Sequence, residues 1–279
     1  MKAFIITLEN NPGSREAAAV CLESALKHGY CAELFRASTG VDGVQMLSSE
    51  GIAPVTANER ASEVLRSHQA AWLSKPGTIG CYASHYRLWK LCAELDEPIV
   101  VFEHDALVLA PFPAIDWEGV LHFECEGNLT RVGTDWASGD RMETGTGVYR
   151  LGFSPAELPE LVCIPCCHAY AIKPHAARAL VEDARTNGWL AADRAVREPV
   201  VSIETHNPSL ATFQSEFMYV STTSPRRWRD GVGKRLRQIL AQWLESGLRV
   251  GRSALPKPVR HFLWVHLVAR LHARLSAGD

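Results

Sequence analysis

Residues Lys75 to Leu109 read KPGTIGCYASHYRLWKLCAELDEPIVVFEHDALVL, and this stretch decides the fold. Pro76-Gly77 breaks what comes before it. Ile79 to Leu95 has the period of an amphipathic helix, with Tyr82, Leu88, Trp89 and Cys92 facing inward. Pro98 to Phe102 is a short apolar run, the pattern of a strand buried in a parallel sheet. Glu103-His104-Asp105 follows at once. Open α/β sheets bind ligands beyond the carboxyl ends of their strands, and this order delivers carboxylates to that edge. Residues i and i+2 of an extended segment share a face. Glu103 and Asp105 are therefore expected to meet one cation or its water shell, with His104 turned to the other side.

Upstream, Ala3 to Leu8 (AFIITL) reads as a buried strand, and Arg15 to His28 as a helix capped by Ser14 and stopped by Gly29. Tyr30 to Ala37 is a second strand, closed by Ser38 to Gly43. These form a βαβ unit, the half-motif of a nucleotide-binding fold. No GxGxxG lies in its first turn, which argues against a dinucleotide. Residues 44–74 are mostly helical and polar. Downstream, the glycines spaced through 116–160 predict loops with short antiparallel strands, one at Gly147 to Leu151. His168 to Lys173 is a strand and Pro174 to Asn187 a helix. Val200 to Glu204 is a strand, Thr205 to Pro208 a turn, and Phe213 to Ser221 extended.

The 279 residues are 47% apolar and 22% charged, the balance of a soluble globular protein with one full core. Met1-Lys2 leads straight into an apolar run too short for an export signal. No apolar stretch reaches the roughly 18 residues that span a bilayer. The expected location is cytoplasmic, with peripheral association at the inner membrane. Eight cysteines without framework spacing predict free thiols. Cys163-Ile164-Pro165-Cys166-Cys167 is a CxxC-type cluster with no second pair or nearby His-x3-His, so buried thiols are expected there rather than a metal. The net charge of −2 conceals a tail of +9 from Arg226 to Asp279 on a body of −11. Two amphipathic helices, Gly233 to Val250 and Val259 to Leu275, are predicted in that tail. The expected division is a domain at 1–224 and a basic tail at 225–279. An anionic membrane surface suits the tail best and an oligomerisation element comes second. No recognised module favours nucleic acid.

The central stretch resembles the signature of glycosyltransferase family 25, the lipooligosaccharide galactosyltransferase-like family that is also related to procollagen galactosyltransferases. That pattern is G-x-x-G-C-x-x-S-H, a leucine and a tryptophan, then a strand ending E-D-D-A. Gly77, Gly80, Cys81, Ser84, His85, Leu88, Trp89, Glu103, Asp105 and Ala106 match it. Weaker likeness lies in AFIITLENNPGSR with Arg15, in FRASTGVDG with Asp42, and in HAYAIKPHAARAL followed by Asp193. Together these cover roughly residues 3–221 and leave out the tail.

The resemblance implies a GT-A-type mixed sheet flanked by helices. It implies metal-assisted, inverting transfer of a hexose, most simply galactose, from a UDP-sugar to a saccharide or glycolipid acceptor in lipopolysaccharide or other surface-glycan synthesis. Mn²⁺ or Mg²⁺ would be held by Glu103 and Asp105, with His206 as a third ligand or else a turn histidine. Donor contacts would come from Thr7, Leu8, Arg15, Asp42, Ser84, His85 and Glu103. Asp42 has an Asx-turn as its alternative, and Arg15 a solvated helix start. His85 would orient the acidic segment or the donor phosphates. Asp193 would be the acceptor base, or else a helix cap or the partner of Arg194 or Arg197. His104 stands where the family has an acid. A tolerated substitution, a replacement ligand and a degenerate, non-catalytic sugar-nucleotide binding or scaffolding protein are the three readings of it.

Overall fold

The computed structural model describes residues 1–59, 62–124, 145–152, 154 and 161–214. Expectations for the rest of the 116–160 loops, for 215–221 and for the tail fall outside them. Strand β1 (Lys2–Thr7), helix α1 (Pro12–Lys27) and strand β2 (Cys31–Arg36) form the expected βαβ unit. β1 and β2 are parallel, with Lys2 opposite Cys31. α1 begins at Pro12 and is capped by Asn11, whose Oδ1 accepts the Ser14 N–H at 3.1 Å. Proline at the first helical position preceded by an asparagine cap explains the early start. Ser14 lies inside the helix, and its Oγ accepts the Leu8 N–H at 3.0 Å.

The 38–43 segment opens a helix, α2 (Gly40–Ser49), instead of closing a strand. Thr39 and Asp42 form a reciprocal capping box there. α3 (Glu63–Leu73) and α4 (Pro76–Leu95) follow, and Pro76 starts α4. β3 (Ile99–Glu103) is parallel to β1, with Glu103 opposite Ile6. β4 is Ala106–Val108, β5 Val120–His122, β6 Gly147–Arg150 and β7 Ala169–Ile172. α5 (Pro174–Asn187), a short α6 (Ala192–Ala195), β8 (Ile203–Asn207) and β9 (Ala211–Phe213) complete the described elements. The expected strand at 200–204 lies three residues later as β8, so His206 sits opposite Val148 in a strand pair and not in a turn.

Seven strands make one mixed sheet in the order β2-β1-β3-β7-β5-β8-β6, and β4 and β9 form a separate antiparallel pair. Both faces of the central strands are buried. Phe4, Ile6, Ile99, Val101, Tyr170 and Ile172 belong to one core with α4 and α5. Ala3, Ile5, Val100, Phe102, Ala169 and Ala171 belong to the other with α1. The period of two in a strand accounts for this division, and burial on both faces accounts for the nearly unbroken apolar runs.

Candidate active site

The carboxyl ends of β1, β2 and β3 open into a cavity of about 780 Å³. Leu8 borders it beyond β1, Ser38 to Gly40 beyond β2, and Glu103, His104 and Asp105 beyond β3. The N-terminal half of α4 forms one wall, and Pro165 to Cys167 and Ala191 to Arg194 form others. α4 lies very close to the loop after β2. A Cβ on Gly80 would stand 2.6 Å from the Ser38 carbonyl oxygen, and one on Gly40 would stand 2.7 Å from Pro76. Ser84 completes this junction, donating to the Gly80 carbonyl at 2.7 Å and accepting the Ser38 N–H at 2.9 Å.

β3 ends at Glu103, and His104-Asp105 is a turn leading into β4. All three side chains border the cavity. The strand alternation expected to turn His104 away therefore does not extend past Glu103. The turn is tied down from outside. The Glu103 N–H donates to the His168 carbonyl at 2.8 Å, and the Gln214 N–H to that of Asp105 at 2.8 Å. The Gln214 side-chain amide reaches the carbonyls of Ala17, His104 and Ala106 at 2.9, 3.1 and 2.8 Å.

Glu103 ends a buried relay. The Trp89 indole N–H donates to the Tyr170 hydroxyl at 2.9 Å. That hydroxyl is 3.0 Å from His85 Nδ1, and His85 Nε2 is 3.2 Å from Glu103 Oε1. With Tyr170 accepting from Trp89, its own proton goes to Nδ1, which leaves Nε2–H to donate to the carboxylate. The Cys81 thiol donates to the same oxygen at 3.4 Å. Burial opposes ionisation of Glu103, but the hydrogen bond from His85, with His104 and Cys81, outweighs it and brings the carboxyl down to about 2. Asp105 goes the other way: burial and then the charge of Glu103 raise it to about 7. Its Oδ1 is buried without a hydrogen-bond partner. Burial and Glu103 also hold the Cys81 thiol far above its ordinary range, so it is a hydrogen-bond donor and not a nucleophile.

Of the residues singled out from the sequence, Leu8, Ser84, Glu103, Asp105 and Asp193 border this one cavity. Asp193 pairs with its neighbour Arg194 at 3.0 Å. Thr7, Arg15, Asp42, His85 and His206 are not among the lining residues. Thr7 donates to the Ile5 carbonyl at 3.0 Å, and Arg15 to the Glu9 carbonyl at 2.6 Å. Asp42 is held by Thr39 in the α2 cap, and His85 acts through Glu103. His206 Nδ1 lies 2.7 Å from the Pro208 carbonyl oxygen. Sequence reasoning missed Gln69, Trp72 and Arg194 in the lining, and Gln214 behind the turn. Gln69 is fully buried and its Oε1 accepts the Ala191 N–H at 2.9 Å. A polar residue in an apolar setting was its only signal.

An orphaned carboxylate oxygen beside an ionised glutamate suits a hard divalent cation, so Glu103 and Asp105 fit the metal that such a site implies. Burial lowers the pKa of the neighbouring His104, which leaves its imidazole neutral and able to ligate. Among the described residues no helix is long and apolar enough to cross a membrane. No curated protein matches the chain at a significant level. Among solved structures, the apo form of mouse xyloside xylosyltransferase 1 shares 11% identity over 70% of this chain and 80% of that chain. Its TM-score of 0.27 is too low to transfer any residue. Residues 1–124, which carry the Gly80-Cys81, Ser84-His85 and Glu103-Asp105 features, match the model of glycosyltransferase family 25 (LPS biosynthesis protein).

Proposed function

We propose that the chain transfers a hexose, in the simplest case galactose, from a UDP-sugar to a saccharide or glycolipid acceptor of a surface glycan such as lipopolysaccharide. The observation that carries this reading is the acidic turn: ionised Glu103, and Asp105 with its Oδ1 buried and unpartnered, at the carboxyl end of β3, facing a cavity large enough for a nucleotide sugar. A bound Mn²⁺ or Mg²⁺ would neutralise charge on the departing diphosphate, and Glu103 and Asp105 would hold it, with His104 beside them. His85, Tyr170 and Trp89 keep Glu103 ionised and oriented. Asp193 borders the same cavity from α6 and takes the proton of the acceptor hydroxyl in an inverting transfer. Arg194 pairs with it at 3.0 Å and orients it. Leu8 and Ser84 border the donor space. The charge of the tail supports a division at 1–224 and 225–279, with the tail held at an anionic membrane face.

The test is UDP release from a panel of UDP-sugars with Mn²⁺ or Mg²⁺, with Asp105→Ala and Asp193→Asn beside the parent. Turnover of at least one donor, lost in Asp105→Ala with folding intact, is the expected result. A parent that neither binds nor turns over any donor would indicate a degenerate protein, with His104 in place of a necessary acid.

A further inference from the structure

Cys166, one of the three thiols in the 163–167 cluster, does not stand alone. His122 at the end of β5 and His168 at the entry to β7 close around it, although they are distant or unremarkable in the sequence. The Cys166 Sγ lies 2.7 Å from His168 Nδ1 and 3.6 Å from His122 Nε2. Both imidazoles are fully buried, and Cys166 borders the 780 Å³ cavity, which gives an entry path. A zinc ion sits about 2.3 Å from sulfur and about 2.0–2.1 Å from imidazole nitrogen, so its ligand atoms stand roughly 3–4 Å apart. The His122 separation falls within that spacing, and the shorter His168 contact would open by under an ångström as the ion enters.

We infer that His122 Nε2, Cys166 Sγ and His168 Nδ1 form a site for a zinc-class transition metal at the base of the cavity wall, apart from the acidic turn. The outer partners point the same way. His122 Nδ1 is 2.9 Å from the Glu124 carbonyl oxygen, which fixes the proton there and leaves Nε2 with its lone pair toward Cys166. On the far side of His168, Nε2 lies 3.4 Å from Glu124 Oε2. Neither of those atoms has a hydrogen-bond partner, although His168 is wholly buried and Glu124 is 1% exposed. Coordination at Nδ1 would place the proton on Nε2, against the carboxylate, so one glutamate serves both ligands. A thiol with two imidazoles selects a softer ion than the carboxylates of the acidic turn do. On binding, the Cys166 thiol gives its proton to solvent, and one open position remains for water. Such an ion joins the end of β5 to the loop before β7, whose His168 carbonyl receives the Glu103 N–H.

The test uses the full chain, stripped with a chelator and then titrated with Zn²⁺ and with Co²⁺. One zinc per chain and a thiolate-to-cobalt charge-transfer band are expected, along with a rise in melting temperature on zinc addition. Cys166→Ser and His122→Gln lose the band and bind zinc at least ~100-fold more weakly, and Glu124→Gln binds ~10-fold more weakly. Cys81→Ser keeps both signals. Where a ligand variant does not fold, the cobalt band of the parent and the Cys81→Ser result still decide. Absence of stoichiometric zinc and of the band in the parent overturns the inference. So do binding that survives both ligand substitutions and binding lost with Cys81→Ser instead.

Discussion

Asp105 shows what the site costs the fold. Its carboxyl is raised from an ordinary 3.8 to about 7 by burial and by Glu103. Between those values the unfolded chain releases a proton that the folded chain keeps, so the cation-free protein loses stability as pH rises from about 4 to about 7. Asp105→Asn removes that loss. Because Asp105 is partly exposed, the gain is discounted to about 1–3 kcal/mol at pH 8, with little difference at pH 4. Urea unfolding at the two pH values in chelator checks this, and a variant no more stable at pH 8 would refute the strain. Donor turnover should fall at least ~10²-fold in the same variant. Tyr170→Phe tests the relay behind Glu103. It leaves Trp89 Nε1 and His85 Nδ1 buried without partners, at about 1–3 kcal/mol for each group. Thermal melting should drop, and UDP release should weaken with it, since Glu103 loses its oriented donor.

At the scale of elements, the Gly-x-x-Gly-Cys-x-x-Ser-His pattern is a packing instruction as much as a chemical one. Gly80 lets α4 approach the loop after β2 until backbone nearly meets backbone, and Ser84 stitches the two together. A Cβ at Gly80 meets a carbonyl oxygen that cannot swing aside, so Gly80→Ala should cost about 1–3 kcal/mol. Gly13→Ala in α1 is the contrast, since its Cβ would meet only Asn11 Oδ1 at 3.5 Å. That change should be close to neutral in denaturant unfolding. The turn after β3 obeys the same logic from the opposite side. Gln214, just past β9, holds the carbonyls of His104, Asp105 and Ala106, so β9 fixes the acidic turn although it lies over 100 residues away. Gln214→Ala should lower donor turnover without touching a lining residue, and UDP-release kinetics would show it.

For the whole molecule, the sign of the charge separates body from tail: −11 against +9. Opposite charge on an anionic surface adds attraction that salt screens within about a Debye length. Full-length protein should pellet with anionic liposomes and release as salt rises, and a truncation after Ser224 should stay in the supernatant. Equal pelleting of the two would defeat the membrane role of the tail. The described part needs no such surface for its own core, which the seven-stranded sheet buries on both faces.

Local pattern alone determined the βαβ start, the long helix before the acidic strand, and the placement of Glu103 at a strand end. Those features follow from periods of 3.6 and 2 and from caps, which act over a few residues. The motif in Pro76–Ala106 likewise pointed to the family. Only tertiary structure decided that His104-Asp105 is a turn and not strand, because Gln214 and His168 bind its backbone from distant segments. It also placed Arg15, Asp42 and His206 away from the cavity lining, since each is engaged by its own neighbours. The same holds for Cys166. A thiol cluster without a second cysteine pair reads as inert along the chain. Antiparallel pairing of β5 with β7 brings His122 to the thiol from 44 residues away, and no linear spacing encodes that approach.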